Sequence, residues 1–392
     1  MTHPVLENWS EISQHPSPVL FQPDTESDLQ QFLRASRQPC LLAGNGSKWW
    51  MGNSPLPVGA CVDLRRFDRV LEYSPGDLTV TVEAGIPFSK LEETLASEMQ
   101  TLPVDPPAAR SATMGGMVAV GLSGPLQQCY GTLRDKVLGV KVIHPDGTIT
   151  RAGGKVVKNV AGYDLCKLYC GSFGTLVAIL EVTFRVFPRT DSLRCVRLEV
   201  ENLDQACGVW RDVRKLAVNP AGMIYLEEPS QPRQVVMRFQ GTARSVDAQL
   251  SEVRAAFSRN LITTEDVLET AIERFYSDPL PLRLRLETLS GSLSQTVPLA
   301  QRGLTPRISL VDFSSRRGYF SADSTPVDNV QRIRNNLKGM NAALVIEKAP
   351  LSIKSLIDVW GSTRGDLFLT QAIKATLDPE RRFNPGRYVT GT

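Results

Sequence analysis

The chain has 392 residues, 42% of them hydrophobic and 22% charged, the composition of an ordinary globular protein of two or three domains. Its 44 basic and 41 acidic residues leave a formal net charge of +3, which excludes a global electrostatic case for nucleic acid or an anionic membrane as partner. Seven cysteines, an odd number at irregular spacing with no CxxC pair, point to reduced thiols in a cytosolic chain, and Cys166 with Cys170 supplies too few ligands for a metal.

The opening residues, MTHPVLENWSEISQHP, hold no basic stretch followed by an apolar one, and no apolar run approaches ~20 residues. A non-secreted protein without a membrane span of its own is therefore expected. A short strand is predicted at Val19 to Phe21, then a helix opened by a Thr25/Asp28 capping box with Leu29, Phe32 and Leu33 on its apolar face. PCLLAG returns as a second strand, and such a crossover runs parallel and right-handed. The loop after it, Ala43-Gly44-Asn45-Gly46-Ser47-Lys48, is made of small residues whose successive amides can form a concave anion site; it reads as a phosphate cradle or as a tight turn without a ligand. It lacks the Walker spacing, and no GxGxxG follows a strand anywhere in the chain.

LTVTVEAG alternates as a half-buried strand, with Leu78, Val80 and Val82 inward and Thr79, Thr81 and Glu83 outward. IPFSKLEETLASE is a helix with Pro87 in its first turn and Leu91 and Leu95 inward. In SATMGGMVAVGLSGP, Gly115, Gly116, Gly121 and Gly124 lie within ten residues, with no charge from Ser111 to Pro125. So few long side chains suit a channel wall against which something flat or extended lies. VLGVKVIHPDGTITRAGG is a hairpin with His144 in its turn.

GGKVVKNVAGYDLCKLYCGSFGTL reads as a loop, a short helix capped by Asp164, a glycine-rich turn and the start of a long β-branched strand. Arg151, Lys155, Lys158 and Lys167 against Asp164 make this region locally basic. Backbone bared at Gly153, Gly154, Gly162, Gly171 and Gly174 needs partners, because an unpaired buried group costs about 1–3 kcal/mol. A bulky, polar-edged, phosphate-bearing cofactor would supply them. Past Pro188 glycines thin out and strands alternate with helices. The expected division is a cofactor domain over 1–190, an inserted antiparallel α+β cap over 191–347, and a segment 348–392 that returns to the first domain through a helix at 366–377 and RRFNPGRYV.

LLAGNGSKWWMG, SATMGGMVAVGLSGP, the run from YGTLRDKVLGV to TFRVFPR, and FNPGRY are, in that order, similar to the FAD-binding domain of the vanillyl-alcohol oxidase / p-cresol methylhydroxylase (PCMH-type) superfamily. GGMVAVGLSGP and KVVKNVAGYDLCKLY resemble, more narrowly, the FAD-binding E subunits of glycolate oxidase (glycolate dehydrogenase). The resemblance covers residues about 15 to 190 and the last ten or so, and it implies a two-lobed α+β FAD-binding domain with an inserted cap. It implies that Ala43, Gly44, Asn45, Gly46, Ser47 and Lys48 hold the pyrophosphate, that Thr113, Gly115, Gly116 and Gly121 line the FAD channel, and that Arg134, Asp135, Asn159, Gly162, Tyr163 and Asp164 flank the cofactor. Val177 and Ile179 would present backbone to the flavin.

Covalent members place a histidine in the pyrophosphate loop, so Gly44-Asn45-Gly46 implies non-covalent FAD. Catalytic relatives carry a cap histidine pair, whereas His3, His15 and His144 are the only histidines here. The resemblance thus implies a cytoplasmic subunit, peripheral to the membrane through its partners, that oxidises glycolate to glyoxylate together with a sister flavin subunit and an iron–sulfur subunit and passes electrons to an acceptor other than O2. Two further readings stand beside it: a stand-alone FAD-dependent dehydrogenase of a small 2-hydroxy acid or alcohol, using Tyr163 or Lys158, and an assembly subunit with a vestigial flavin site.

Overall fold

The computed structural model describes residues 3–155, 163–257, 261–264, 267–288, 292–361 and 367–389, with backbone alone for 261–264. The chain divides into two compact units, Met1–Leu122 with Thr132–Arg189 and Pro350–Thr392, and Ser123–Gly131 with Thr190–Ala349. Ser123–Gly131 therefore leaves the block 1–190 expected from the sequence. Gln127 donates to Asp312 (3.3 Å) and Gln240 donates to the Tyr130 hydroxyl (2.6 Å), contacts between residues more than a hundred apart that no local pattern announces.

In the first unit, strands Val19–Phe21 and Cys40–Ala43 are joined by helix Glu26–Ala35. The helix starts at the predicted capping box, Asp28 N donating to Thr25 Oγ1 (3.1 Å) and Thr25 N to the Asp28 carboxylate (2.9 Å). Leu29 and Leu33 are buried, and Phe32 stacks on Phe21 with ring centroids 4.2 Å apart. The two strands run in the same direction but are not neighbours, because Ala60–Asp63 lies between them and pairs in parallel with both.

A five-stranded antiparallel sheet completes this unit, in the order Val70–Ser74, Thr79–Glu83, Ala178–Arg185, Val137–Ile143, Ile149–Gly153. Thr79–Glu83 corrects the expectation of a half-buried strand, for all five of its residues are buried. The strand is internal and its polar side chains are paired: the Thr81 and Thr183 hydroxyls bond at 2.9 Å, and Arg69 grips the Glu83 carboxylate at 2.7 and 3.1 Å. Leu78 stands outside the strand at φ 54°. In the hairpin turn Asp146 accepts from Thr148 N (2.8 Å), and the His144 ring bonds Thr150 Oγ1 (2.8 Å). Helix Phe88–Ala96 buries Leu91 and Leu95, with Pro87 as its cap just before the first turn. Those leucines pack with Val80, Val82, Met114 and Met117 in the main apolar core of the unit.

The second unit is an eight-stranded antiparallel sheet assembled from two βαββαβ halves. The first half runs Ser192–Glu199, helix Leu203–Val213, Gly222–Glu227, Gln234–Gly241, helix Ala243–Ala256, Leu261–Thr264; the second runs Leu282–Thr288, helix Leu293–Leu304, Ile308–Asp312, Arg317–Ala322, helix Val327–Leu337, Ala342–Lys348. In each half the strands lie in the order fourth, first, third, second, and the two second strands pair with one another to make one sheet.

Candidate functional site

The loop that leaves strand Cys40–Ala43 forms one wall of an open cleft, with about 820 Å³ of empty space counted out into solvent at its mouth. Among the described residues, none of the backbone amides from Gly44 to Lys48 donates to a protein acceptor. Gly46 has φ +72°, where a side chain would be strained, and a Cβ on Gly44 would lie 2.1 Å from Thr113 Oγ1. The backbone is thus drawn tightly against Thr113 with its donors left over, an arrangement suited to an anion.

Lys48 is only 7% exposed. Its ammonium has long contacts to Ser47 Oγ (3.4 Å) and the Ala108 carbonyl (3.5 Å) and, among the described residues, no carboxylate within ion-pair distance. Burial pushes it down to about 8. A buried cation beside five spare amides asks for a negative ligand.

The opposite wall is helix Met114–Val120, capped by Thr113, whose Oγ1 accepts from Gly116 N (3.3 Å). Met114, Met117 and Val118 turn into the core, while Gly116, Ala119 and Val120 line the cleft. Gly115 lets the helix close on the sheet: its N–H donates to the Ala84 carbonyl (2.7 Å), and a Cβ there would lie 2.6 Å from Ala84 Cβ. Val177 and Ile179 supply an apolar floor.

The carboxy-terminal segment closes the cleft, a contribution that FNPGRY signals without naming its residues. Asn384 accepts from Leu42 N (2.8 Å) and donates to the Phe173 carbonyl (2.7 Å), tying together two cleft walls 131 positions apart. Arg387 is buried, donates to the carbonyls of Asn53 (2.7 Å), Trp49 (3.1 Å) and Met51, and lies 4.4 Å over the Trp49 ring. Lys354 caps the same loop through the carbonyls of Trp50 (2.7 Å) and Gly52 (3.0 Å). Desolvation lowers both cations, Arg387 to about 9 and Lys354 to about 7.

Of the residues expected at the cofactor, Ala43, Gly44, Asn45, Gly46, Ser47, Lys48, Thr113, Gly115, Gly116, Val177 and Ile179 line this cleft. Gly121, Arg134, Asp135, Tyr163 and Asp164 do not. Gly121 ends its helix at φ +67° and lies where a Cβ would come within 2.9 Å of Gly171, a packing role. Arg134 donates to the Lys167 carbonyl (3.1 Å), and Asp135 forms a capping box with Thr132 (2.8 and 2.7 Å). Tyr163 is 96% exposed, so the structure gives it no position at the cleft, and Asp164 precedes helix Leu165–Tyr169 without a side-chain cap bond. Lys158, Asn159 and Gly162 lie outside the described residues. Asp135→Ala is accordingly expected to lower stability by about 1 kcal/mol, as loss of a cap does, while leaving FAD affinity within about twofold; a denaturant melt and a flavin titration check the two halves.

No side chain of His, Cys or Tyr lines the cleft among the described residues, and none of them groups three or more His, Cys, Asp or Glu as a metal site. No helix among them is long and apolar enough to cross a membrane.

Residues 17–153 match the FAD binding domain family. The chain is 31% identical over 361 residues to glycolate oxidase subunit GlcE of Escherichia coli (strain K12), covering 90% of this chain and 93% of that one. It is 30% identical over 194 residues to glycolate oxidase subunit GlcD of Bacillus subtilis (strain 168), covering 50% of this chain and 41% of that one. It is 35% identical over 175 residues to the mitochondrial D-lactate dehydrogenase (cytochrome) of Arabidopsis thaliana, covering 44% and 30%. Among solved structures, alkyldihydroxyacetonephosphate synthase shares the fold with a TM-score of 0.71 at 17% identity, covering 94% of this chain and 77% of that one.

Proposed function

Because the chain belongs to the family of glycolate oxidase subunit GlcE, we propose that it is the FAD-binding subunit of a complex that oxidises glycolate to glyoxylate and passes electrons to an acceptor other than O2. It is a FAD-dependent oxidoreductase, and its partners are a sister flavin subunit and an iron–sulfur subunit. The observation that carries this reading is the row of spare amides from Gly44 to Lys48 beside the buried Lys48 ammonium.

Bound FAD would supply a redox centre that takes up electrons within the complex and passes them onward. The amides and Lys48 hold its diphosphate, the small residues of Met114–Val120 make room for it, and Asn384 fixes the spacing of the walls. Non-covalent attachment fits a cleft that, among the described residues, is lined by no His, Cys or Tyr. His3, His15 and His144 are the chain's only histidines and none lines the cleft, so removal of the substrate hydroxyl proton falls to the sister subunit.

The test is the visible spectrum of the chain expressed alone, before and after anaerobic glycolate, followed by acid precipitation. FAD released by acid and not bleached by glycolate is the expected result. Bleaching by glycolate would make the chain a catalyst in its own right, and a colourless protein would leave only an assembly role.

A pH profile checks Lys48. Its ammonium, lowered to about 8, opposes folding of the empty chain below that pH, and the penalty fades as the pH rises through the folded value towards the higher unfolded one. A bound diphosphate favours the charged form, so binding above about pH 8 takes up a proton. FAD affinity is expected to fall by up to about tenfold per pH unit between about 8 and 10, and Lys48→Met is expected to flatten that slope.

A further inference from the structure

His3 is wholly buried against the loop and is not among the residues that line the cleft. It caps the short helix Pro4–Glu7, its Nδ1 accepting from Val5 N at 3.1 Å, while Nε2 lies 2.8 Å from the Gly44 carbonyl oxygen. A ring nitrogen that accepts carries no proton, so Nδ1 is bare and Nε2–H donates to Gly44. The Asp63 carboxylate, 3.7 Å from Nε2, is already engaged by Arg65 (2.8 Å) and by Gln22 (2.9 Å). Val5, Trp9 and Ile12 pack with Leu41, Ala43 and Cys61, which holds the His3 backbone against strand Cys40–Ala43. Val5 also reaches the loop, its Cγ2 standing 2.9 Å from where a Cβ on Gly46 would be.

In a trans peptide unit the C=O and the following N–H point in opposite directions. With the Gly44 carbonyl held by His3 on the far side of the loop, the Asn45 N–H is turned towards the cleft, which Gly44 and Asn45 both line. Gly44, free of a Cβ, leaves its adjoining peptide freer to flip than a residue with a side chain would, and a flip would replace a donor at the anion site with a carbonyl oxygen. We propose that His3 is a positioning residue for the FAD diphosphate: its Nε2–H holds the Gly44–Asn45 peptide in the orientation that presents the Asn45 amide to the ligand. This rests on the reading that the cleft binds FAD through that loop.

Two substitutions separate the ring's two bonds. His3→Asn keeps an acceptor near the Nδ1 position for Val5 N but cannot reach Gly44, whereas His3→Gln places an amide N–H near the Nε2 position. FAD is titrated into each apoprotein by quenching of flavin fluorescence, and the ³¹P spectrum of the bound diphosphate is recorded. His3→Asn is expected to bind FAD about tenfold more weakly with shifted ³¹P signals, the scale of one lost buried hydrogen bond, and His3→Gln to return within about twofold of the unsubstituted chain with its ³¹P signals restored. Unchanged affinity in His3→Asn, or equal weakening in both variants with unshifted ³¹P signals, would overturn the proposal while leaving FAD binding itself standing. Failure of the unsubstituted chain to bind FAD would overturn both.

Discussion

Gly44→Val is expected to yield a folded, colourless chain whose FAD affinity is lower by at least about 100-fold. A Cβ at Gly44 meets Thr113 Oγ1 at 2.1 Å and Thr113 Cβ and Cγ2 at 3.1 Å. Thr113 cannot turn away freely, because Oγ1 caps helix Met114–Val120 through Gly116 N. The loop must move outward instead, and two or three amides leave their positions around the diphosphate. At about 1.5 kcal/mol for each hydrogen bond to a charged group, the loss is ~3–4.5 kcal/mol, or a factor of ~100–2000 in Kd. Gly76→Val is the control, for nothing lies within 4 Å of a Cβ there, and it should bind FAD normally. A Gly44→Val protein that purifies yellow with unchanged affinity would mean that this loop does not hold the cofactor.

Lys374→Met is expected to lower the melting temperature of the first unit by roughly 6–20 °C. The Lys374 ammonium and the Asp378 carboxylate are both buried and lie 2.7 Å apart. Lys374 also donates to the carbonyls of Thr175 (2.5 Å) and Phe383 (3.2 Å), and Asp378 accepts from the amides of Arg382 and Phe383 (2.9 Å each). The pair thus links helix Leu367–Leu377 to the turn before Asn384 and to the turn that precedes strand Ala178–Arg185. Removing the cation strands a carboxylate in the interior, which costs about 3–5 kcal/mol. Replacing a surface lysine, such as Lys215 with its exposed partner Asp212, should shift the melt by less than about 2 °C. Equal melting of Lys374→Met and the unsubstituted chain, followed by circular dichroism, would show the pair to be dispensable.

Local chemistry carried much of this molecule into view. Thr25 and Asp28 form a capping box because the two residues that make it are three apart, whereas the small residues from Ala43 to Lys48 fit an anion cradle and a plain tight turn alike until the structure shows their amides spare. Thr132 and Asp135, also three apart, form a second capping box, and Asp135 does not line the cleft. Thr79–Glu83 alternates as a strand exposed on one face does, yet its residues are buried; Thr81 pairs with Thr183 of the neighbouring strand and Glu83 with Arg69 of the loop before strand Val70–Ser74.

Glycine placement, turn chemistry and apolar periodicity act over a few residues, and from them the sequence by itself determined the loop, the small-walled helix, the change of texture past Pro188 and an α+β architecture. The tertiary structure alone decided which groups meet across long separations: His3 on Gly44, Asn384 between Leu42 and Phe173, Arg387 and Lys354 on the carbonyls of residues 49–53. It also decided the insertion of Ala60–Asp63 between two parallel strands and the union of two βαββαβ halves through their second strands. The reason is physical. A side chain's burial, ionisation and hydrogen-bond partner are set by whatever packs against it, and for these residues that neighbour lies tens to hundreds of positions away along the chain.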